Sequence, residues 1–142
     1  MTTCTCNHGA AARPWAEVQR EGRRPGAELR RLIPEVYEGF ADLHAAALSP
    51  GAIDGKTKEL MALALAVAAQ CDGCIAAHAW ATARLGASEA EVAETLGVVI
   101  LMTGGPGTVY GPRALTAFRE FADDLQKVSG GIPAPARVAS AP

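Results

Sequence analysis

The sequence predicts an all-α domain, and three observations carry that prediction. Aromatic residues make up 5% of the chain and hydrophobic residues 49%, so the core is built from Ala, Leu, Val and Ile, which pack helices more readily than β-sandwiches. Where the apolar residues show a period, they recur at three- and four-residue steps. Cap residues and Gly- or Pro-containing breaks separate these segments. With 142 residues, 20% of them charged, the chain has the size and composition of one globular domain.

Taken in order, residues 1–12 are small and polar, contain Cys4, Cys6 and His8, and read as a flexible leader. Residues 13–31 hold six Arg and three Glu; Pro14, Gly22, Pro25 and Gly26 limit helix there to short pieces, giving a solvated, partly helical arm. From Ile33 to Leu48, Pro34 occupies a first-turn position and Val36, Phe40, Leu43 and Ala47 form one face of an amphipathic helix. Ser49-Pro50-Gly51 closes it, and Asp54 caps a second helix reaching about Gln70. A third runs from Cys71 to about Leu85 and stops at Gly86. Ser88 and Glu91 have the spacing of a capping box and open a fourth, which passes through Leu96–Met102 and ends at Gly104-Gly105-Pro106-Gly107. The last amphipathic helix covers about Val109–Val128, with Leu115, Phe118, Phe121 and Leu125 on one face. The folded domain is thus expected over residues 13–128, and residues 129–142, rich in Gly, Pro, Ala and Ser, read as a disordered tail.

The net charge of −2 gives no electrostatic reason to bind a polyanion, so nucleic acid is excluded as an expected partner. The longest apolar run, Leu60–Ala69, has ten residues, a length suited to a buried core helix rather than a membrane span. The N-terminus lacks the basic start and apolar stretch of a secretory signal, which predicts a cytoplasmic protein. In a reducing compartment cysteines point to redox or metal chemistry rather than to a disulfide framework.

The informative stretch is Glu59 to His78, with the pattern Glu-x11-Cys-Asp-Gly-Cys-x3-His. Cys71 and Cys74 fall at the start of a helix, where unpaired backbone N–H groups and the macrodipole favour a thiolate. His78, four residues after Cys74, shares its helix face and is the candidate base. Glu59 lies on the preceding helix. If the two helices fold back near Gln70, residue 59 falls opposite about residue 81 or 82, a turn beyond His78, within reach of a long carboxylate. A Glu among Leu60, Leu63 and Val67 needs a partner, and an imidazole supplies one. The pattern therefore predicts a relay of carboxylate, imidazole and two thiols. Cys74, beside the base and the more sheltered of the pair, is expected to be the attacking thiol; Cys71, at the helix mouth, is expected to resolve.

These residues and spacings resemble the carboxymuconolactone decarboxylase superfamily and, within it, the alkylhydroperoxidase D branch. The resemblance spans about Pro34 to Phe121 and includes Cys-Asp-Gly-Cys-Ile-Ala-Ala-His, the following Leu-Gly-Ala-Ser-Glu, and Gly-Gly-Pro-Gly before the last helix. It implies an all-helical fold of about five to six helices assembled as a homohexamer, with a trimer as alternative. It further implies a thiol-dependent peroxidase that takes a hydroperoxide substrate, is regenerated by an external lipoyl or thioredoxin-like dithiol, and carries no bound cofactor or metal. Glu59, Cys71, Cys74 and His78 match the family's catalytic positions. Gly73 departs from the best-studied members, which carry His directly before the second cysteine. Lactone decarboxylases of the superfamily generally lack the cysteine pair.

Two other function classes fit the same residues. Cys71, Cys74 and His78 also supply three ligands of zinc type, so a metal-binding or redox-sensing protein is one alternative, with Cys4, Cys6 and His8 as a further soft-metal clip. An acid–base enzyme of lactone-decarboxylase type, relying on Glu59 and His78 alone, is the other. His44 reads as a surface or satisfied histidine, Trp80 and Tyr110 as packing residues, and Thr103–Gly107 as a helix break, since it lacks the Lys-Ser/Thr of a phosphate loop.

Overall fold

A computed structural model describes residues 13–21 and 23–128. The leader with Cys4, Cys6 and His8 and the tail after Val128 lie outside the described residues, as do the expectations attached to them. Every regular element described is helical: α1 (Trp15–Glu21), α2 (Arg23–Leu32), α3 (Pro34–Leu48), α4 (Gly55–Ala68), α5 (Asp72–Arg84), α6 (Glu89–Thr103) and α7 (Gly105–Val128). The basic arm forms the two short helices α1 and α2, and Pro25 and Gly26, expected to break helix, lie within the first turns of α2, where a missing N–H is tolerated. Among the described residues no helix is long and apolar enough to cross a membrane.

The caps follow the sequence closely. Asp54 precedes α4 and accepts from the Thr57 backbone N–H at 2.8 Å. That bond, reinforced by the Thr57 hydroxyl, holds the Asp54 carboxyl below its ordinary range. Ser88 and Glu91 form a complete capping box on α6. Glu91 also accepts from Lys56 Nζ at 2.6 Å, joining the first turns of α4 and α6. The Lys56 hydrogen bond, followed by that from Ser88, lowers the Glu91 pKa, while the same bond raises that of Lys56.

Helices α4 to α7 enclose the core. Leu63 and Val67 of α4, Ile75, Ala76 and Ala79 of α5, Val92, Leu96 and Val99 of α6, and Ala114, Ala117, Phe118 and Phe121 of α7 are buried together. The alanines of α5 and α7 bring these helices close, and burying the branched side chains between them is the main favourable term in folding. Trp15 of α1 joins the same cluster, and Glu120 of α7 accepts from the Ala16 backbone N–H at 3.1 Å, supplying a carboxylate to the open N-terminus of α1.

The break between α6 and α7 is tighter than the sequence predicts. Helix α7 begins at Gly105 rather than near Val109, and Gly104 alone, at φ 63°, turns the chain. Pro106 sits in the first helical turn, where its missing N–H costs nothing, so the Gly-Gly-Pro-Gly stretch starts the helix more than it interrupts it. Gly107 is buried because α6 and α7 nearly touch there: a Cβ at 107 would stand 2.8 Å from Ile100 Cα and 2.5 Å from Thr103 Oγ1.

Helix α3 is built differently. It buries no residue. Its expected apolar face forms, yet within one chain Val36, Phe40 and Leu43 remain 63%, 63% and 65% exposed. Met61 and Leu65 on α4 and Val98, Leu101 and Met102 on α6 are exposed apolar residues as well.

Candidate active site

The turn between α4 and α5 sets the site. Helix α4 ends at Ala68, two residues before the expected limit, and Gln70 takes a left-handed φ of 55°. The Gln70 N–H then bonds to the Val67 carbonyl at 3.0 Å and the Cys71 N–H to the Ala66 carbonyl at 3.1 Å, the two bonds of a Schellman closure. The same closure recurs after α5 at Gly86, φ 75°, where Gly86 bonds to Ala83 and Ala87 to Thr82. Glycine announces the second turn in the sequence. Gln70 gives no such signal, which is why the end of α4 was legible only approximately.

Leaving that turn, Cys71 is the N-cap of α5, and its Sγ accepts from the Cys74 backbone N–H at 3.2 Å. Cys71 and Cys74 are joined as a disulfide with Cα atoms 5.3 Å apart. The structure reverses the expected sheltering: Cys74 is exposed and Cys71 half-buried. The physical reason is helical phase. Cys71 precedes the inward row Ile75, Ala79 and Thr82, whereas Cys74 shares the outer side of the first turn with Gly73.

One turn further along α5, His78 Nδ1 lies 2.7 Å from Glu59 Oε2. The expected carboxylate–imidazole pair is therefore present as a direct contact between α4 and α5. Glu59 is buried, with 9% of its side chain exposed against 19% for His78, so the imidazole is the partner that a carboxylate among Leu63, Ala66 and Val67 needs. Nδ1 is thus the ring nitrogen committed to Glu59, and Nε2 is the one left for chemistry.

His44 is the residue whose place the sequence did not reveal. It is exposed, as expected of a surface histidine, but its ring stacks on His78 with centroids 6.2 Å apart and planes 19° apart. Phe40, one turn earlier on α3, continues the column at 6.3 Å from His44. The four-residue spacing of Phe40 and His44 puts both on one helix face; nothing local in the sequence shows that this face turns toward His78.

On the other side of the helix mouth, Asp72 accepts from Arg113 Nη2 at 2.6 Å, and Arg113 also lies over the rings of Trp15 and Tyr110. Asp72 and Arg113, with Arg13, Trp15, Val18 and Thr116, line a cavity of about 260 Å³. Trp80 and Tyr110 pack against the core, as expected. Among the described residues no group of three or more His, Cys, Asp or Glu side chains is placed to hold a metal ion. Instead, the two sulfurs are bonded to each other and the imidazole is engaged by Glu59.

Comparison with known proteins identifies the family and the fold. The chain is 44% identical to a carboxymuconolactone decarboxylase family protein of known structure from Legionella pneumophila, with a TM-score of 0.73 over 76% of this chain and 96% of that one. A family protein from Thermotoga maritima, for which a part in the antioxidative response has been suggested, aligns at 29% identity and a TM-score of 0.67 over 80% of this chain and 96% of that one. Among curated sequences, an uncharacterized protein of Cupriavidus necator is 38% identical over 98 residues, 69% of this chain and 87% of the relative. The family model itself matches residues 34–123, from the start of α3 to the last turns of α7, and the chain belongs to the carboxymuconolactone decarboxylase family.

Proposed function

We propose that the protein is a thiol-dependent peroxidase of alkylhydroperoxidase D type, cycling between a Cys71/Cys74 dithiol and the disulfide. The observation that carries this reading is the buried Glu59–His78 pair, at 2.7 Å, one helical turn from an exposed cysteine that is itself bonded to the N-cap cysteine of the same helix. A carboxylate-oriented imidazole beside a redox-active pair is what proton-coupled thiol oxidation requires. The antioxidative part suggested for the Thermotoga relative points the same way.

In the proposed cycle His78 takes the Cys74 thiol proton at Nε2, and the resulting thiolate attacks the distal oxygen of a hydroperoxide ROOH. The O–O bond breaks, Cys74 becomes a sulfenic acid, and the departing RO⁻ takes a proton from His78 to leave as ROH. The Cys71 thiol then displaces water from Cys74 and closes the disulfide. An external dithiol, lipoyl or thioredoxin-like, reduces it and leaves as its own disulfide. Cys74 is the exposed sulfur, so the reductant engages it first, and Cys71 departs as a thiolate that accepts the Cys74 N–H. This replaces the expectation that the reductant approaches through Cys71.

Peroxide consumption measured side by side with dithiothreitol, dihydrolipoamide and thioredoxin tests the activity. Cys71→Ser is expected to consume about one peroxide per site and retain a sulfenic acid on Cys74 that a dimedone-type probe labels. Cys74→Ser is expected to lose the oxidation step, and Glu59→Gln and His78→Gln to slow it without moving the label. Label on Cys71 alone would reverse the roles; no reaction with any hydroperoxide in either cysteine variant would sink the peroxidase reading.

The exposed apolar residues of α3, α4 and α6 support a homo-oligomer as the working form, with a hexamer proposed first and a trimer second. Light scattering at micromolar protein checks this, and a particle of monomer mass, 14.6 kDa, would overturn it.

A further inference from the structure

Glu59 holds His78 by one edge of its ring, through Nδ1 at 2.7 Å. A single hydrogen bond leaves the imidazole free to rock about that contact, and His78 also keeps one side toward solvent, being 19% exposed. The ring that lies beside it is that of His44, nearly parallel, with centroids 6.2 Å apart and the two planes within 19°. His44 is backed in turn by Phe40 at 6.3 Å. It reaches this place from α3, whose C-terminal end is pinned to α4 by the Lys58 ammonium donating to the Ser49 carbonyl at 2.6 Å. Pro50 and Leu48 also lie against Gly55, within 3.8 Å of where a Cβ would stand. The column Phe40–His44–His78 thus crosses from the exposed helix to the buried carboxylate.

We infer that His44 is a positioning residue of the redox site: its flat ring, parallel beside that of His78, limits the rocking of the Glu59-bound imidazole and so holds the Nδ1–Glu59 bond closed. The clamp fixes the direction of Nε2, the nitrogen left to exchange a proton with the departing oxygen. The role of the ring rests on the peroxidase reading; its effect on the Glu59–His78 bond does not. A ring stack requires a planar side chain rather than an ionisable one, so the inference separates His44 as a surface from His44 as a proton carrier.

The test uses the full chain and three variants, His44→Ala, His44→Phe and, as reference, Glu59→Gln. Two quantities are read. The first is the single-turnover rate of oxidation of the reduced protein by cumene hydroperoxide. The second is the exchange rate with water of the His78 Nδ1–H proton, followed by imidazole nitrogen–proton correlation spectra. His44→Ala is expected to slow the oxidation about tenfold, the scale of a misaligned proton-transfer group, and to speed Nδ1–H exchange by a similar factor. His44→Phe is expected to restore both to within about twofold of the parent. Unchanged exchange in His44→Ala overturns the inference. A His44→Phe variant as impaired as His44→Ala overturns it too, since the nitrogens of His44 would then matter and not its ring. If the parent protein oxidises with no hydroperoxide, the functional reading fails and the exchange measurement alone decides the clamp. Residue 44 is exposed and outside the core, so these variants are expected to keep the parent's thermal midpoint.

Discussion

Helices α4 and α3 are adjacent in sequence and similar in length, yet they hold the site in opposite ways. Helix α4 buries Glu59, Leu63, Ala66 and Val67 and presents its carboxylate from a packed wall. Helix α3 buries nothing and presents His44 from a surface whose apolar residues face outward. The difference teaches that one site can draw on two sources of order. The Glu59–His78 pair inherits its precision from the core, where packing permits few alternatives. The ring beside it depends on a helix pinned at its C-terminal end, the low-stability kind of element from which mobile parts of a site are drawn.

The largest effect is expected where the core is emptied. Leu63→Ala should cost about 2–5 kcal/mol in urea unfolding, whereas Leu43→Ala on α3 should stay within about 0.5 kcal/mol in the dissociated chain. Equal losses at the two sites would mean that α3 is packed as tightly as α4.

Glycine gives a matched pair of the next size. Gly107→Ala should destabilise by about 1–3 kcal/mol, because its Cβ collides with the Ile100 backbone and α6 and α7 must part. Gly39→Ala should stabilise by about 0.5–1 kcal/mol, since position 39 is a helix interior with nothing within 4 Å of the added carbon. Thermal midpoints moving in opposite directions would sharpen the comparison; both falling would break it.

The smallest effect lies on the link between α4 and α6. Glu91 is held below its ordinary value of 4.5 by Lys56 and Ser88. Its charge therefore stabilises the fold fully above that value, and the contribution is lost as pH falls through the lowered folded-state pKa. Glu91→Gln can keep the capping box while removing the charge. Its urea midpoint should lie slightly below the parent's at pH 7 and converge with it once acid protonates the parent's carboxyl, with high salt narrowing the gap at pH 7.

Much of this arrangement was legible from short-range pattern. Asp54, Ser88 with Glu91, Gly86 and the Cys-x-x-Cys-x3-His spacing all act within a turn or two of chain, and each took the place its local chemistry assigns. The pairing of Glu59 with His78 was legible because a buried carboxylate has few acceptable neighbours. Three features were not. Gln70 in a left-handed turn carries no residue signal, the relative exposure of Cys71 and Cys74 depends on the phase at which α5 meets α7, and His44 meets His78 only because of how α3 is set against α4. Each is decided by how helices are placed against one another, a tertiary property that no local window contains.

The sulfur cap of α5 has a consequence for observing the protein at work. The Cys74 amide proton points at Cys71 Sγ in the disulfide form. A thiolate is a stronger acceptor than a disulfide sulfur, so this one amide should report the oxidation state of the pair directly. Its resonance should move downfield on reduction while amides deep in α7 stay put. The helix then carries its own indicator, and a titration with reductant can be followed at a single backbone position without attaching any label to the cysteines themselves.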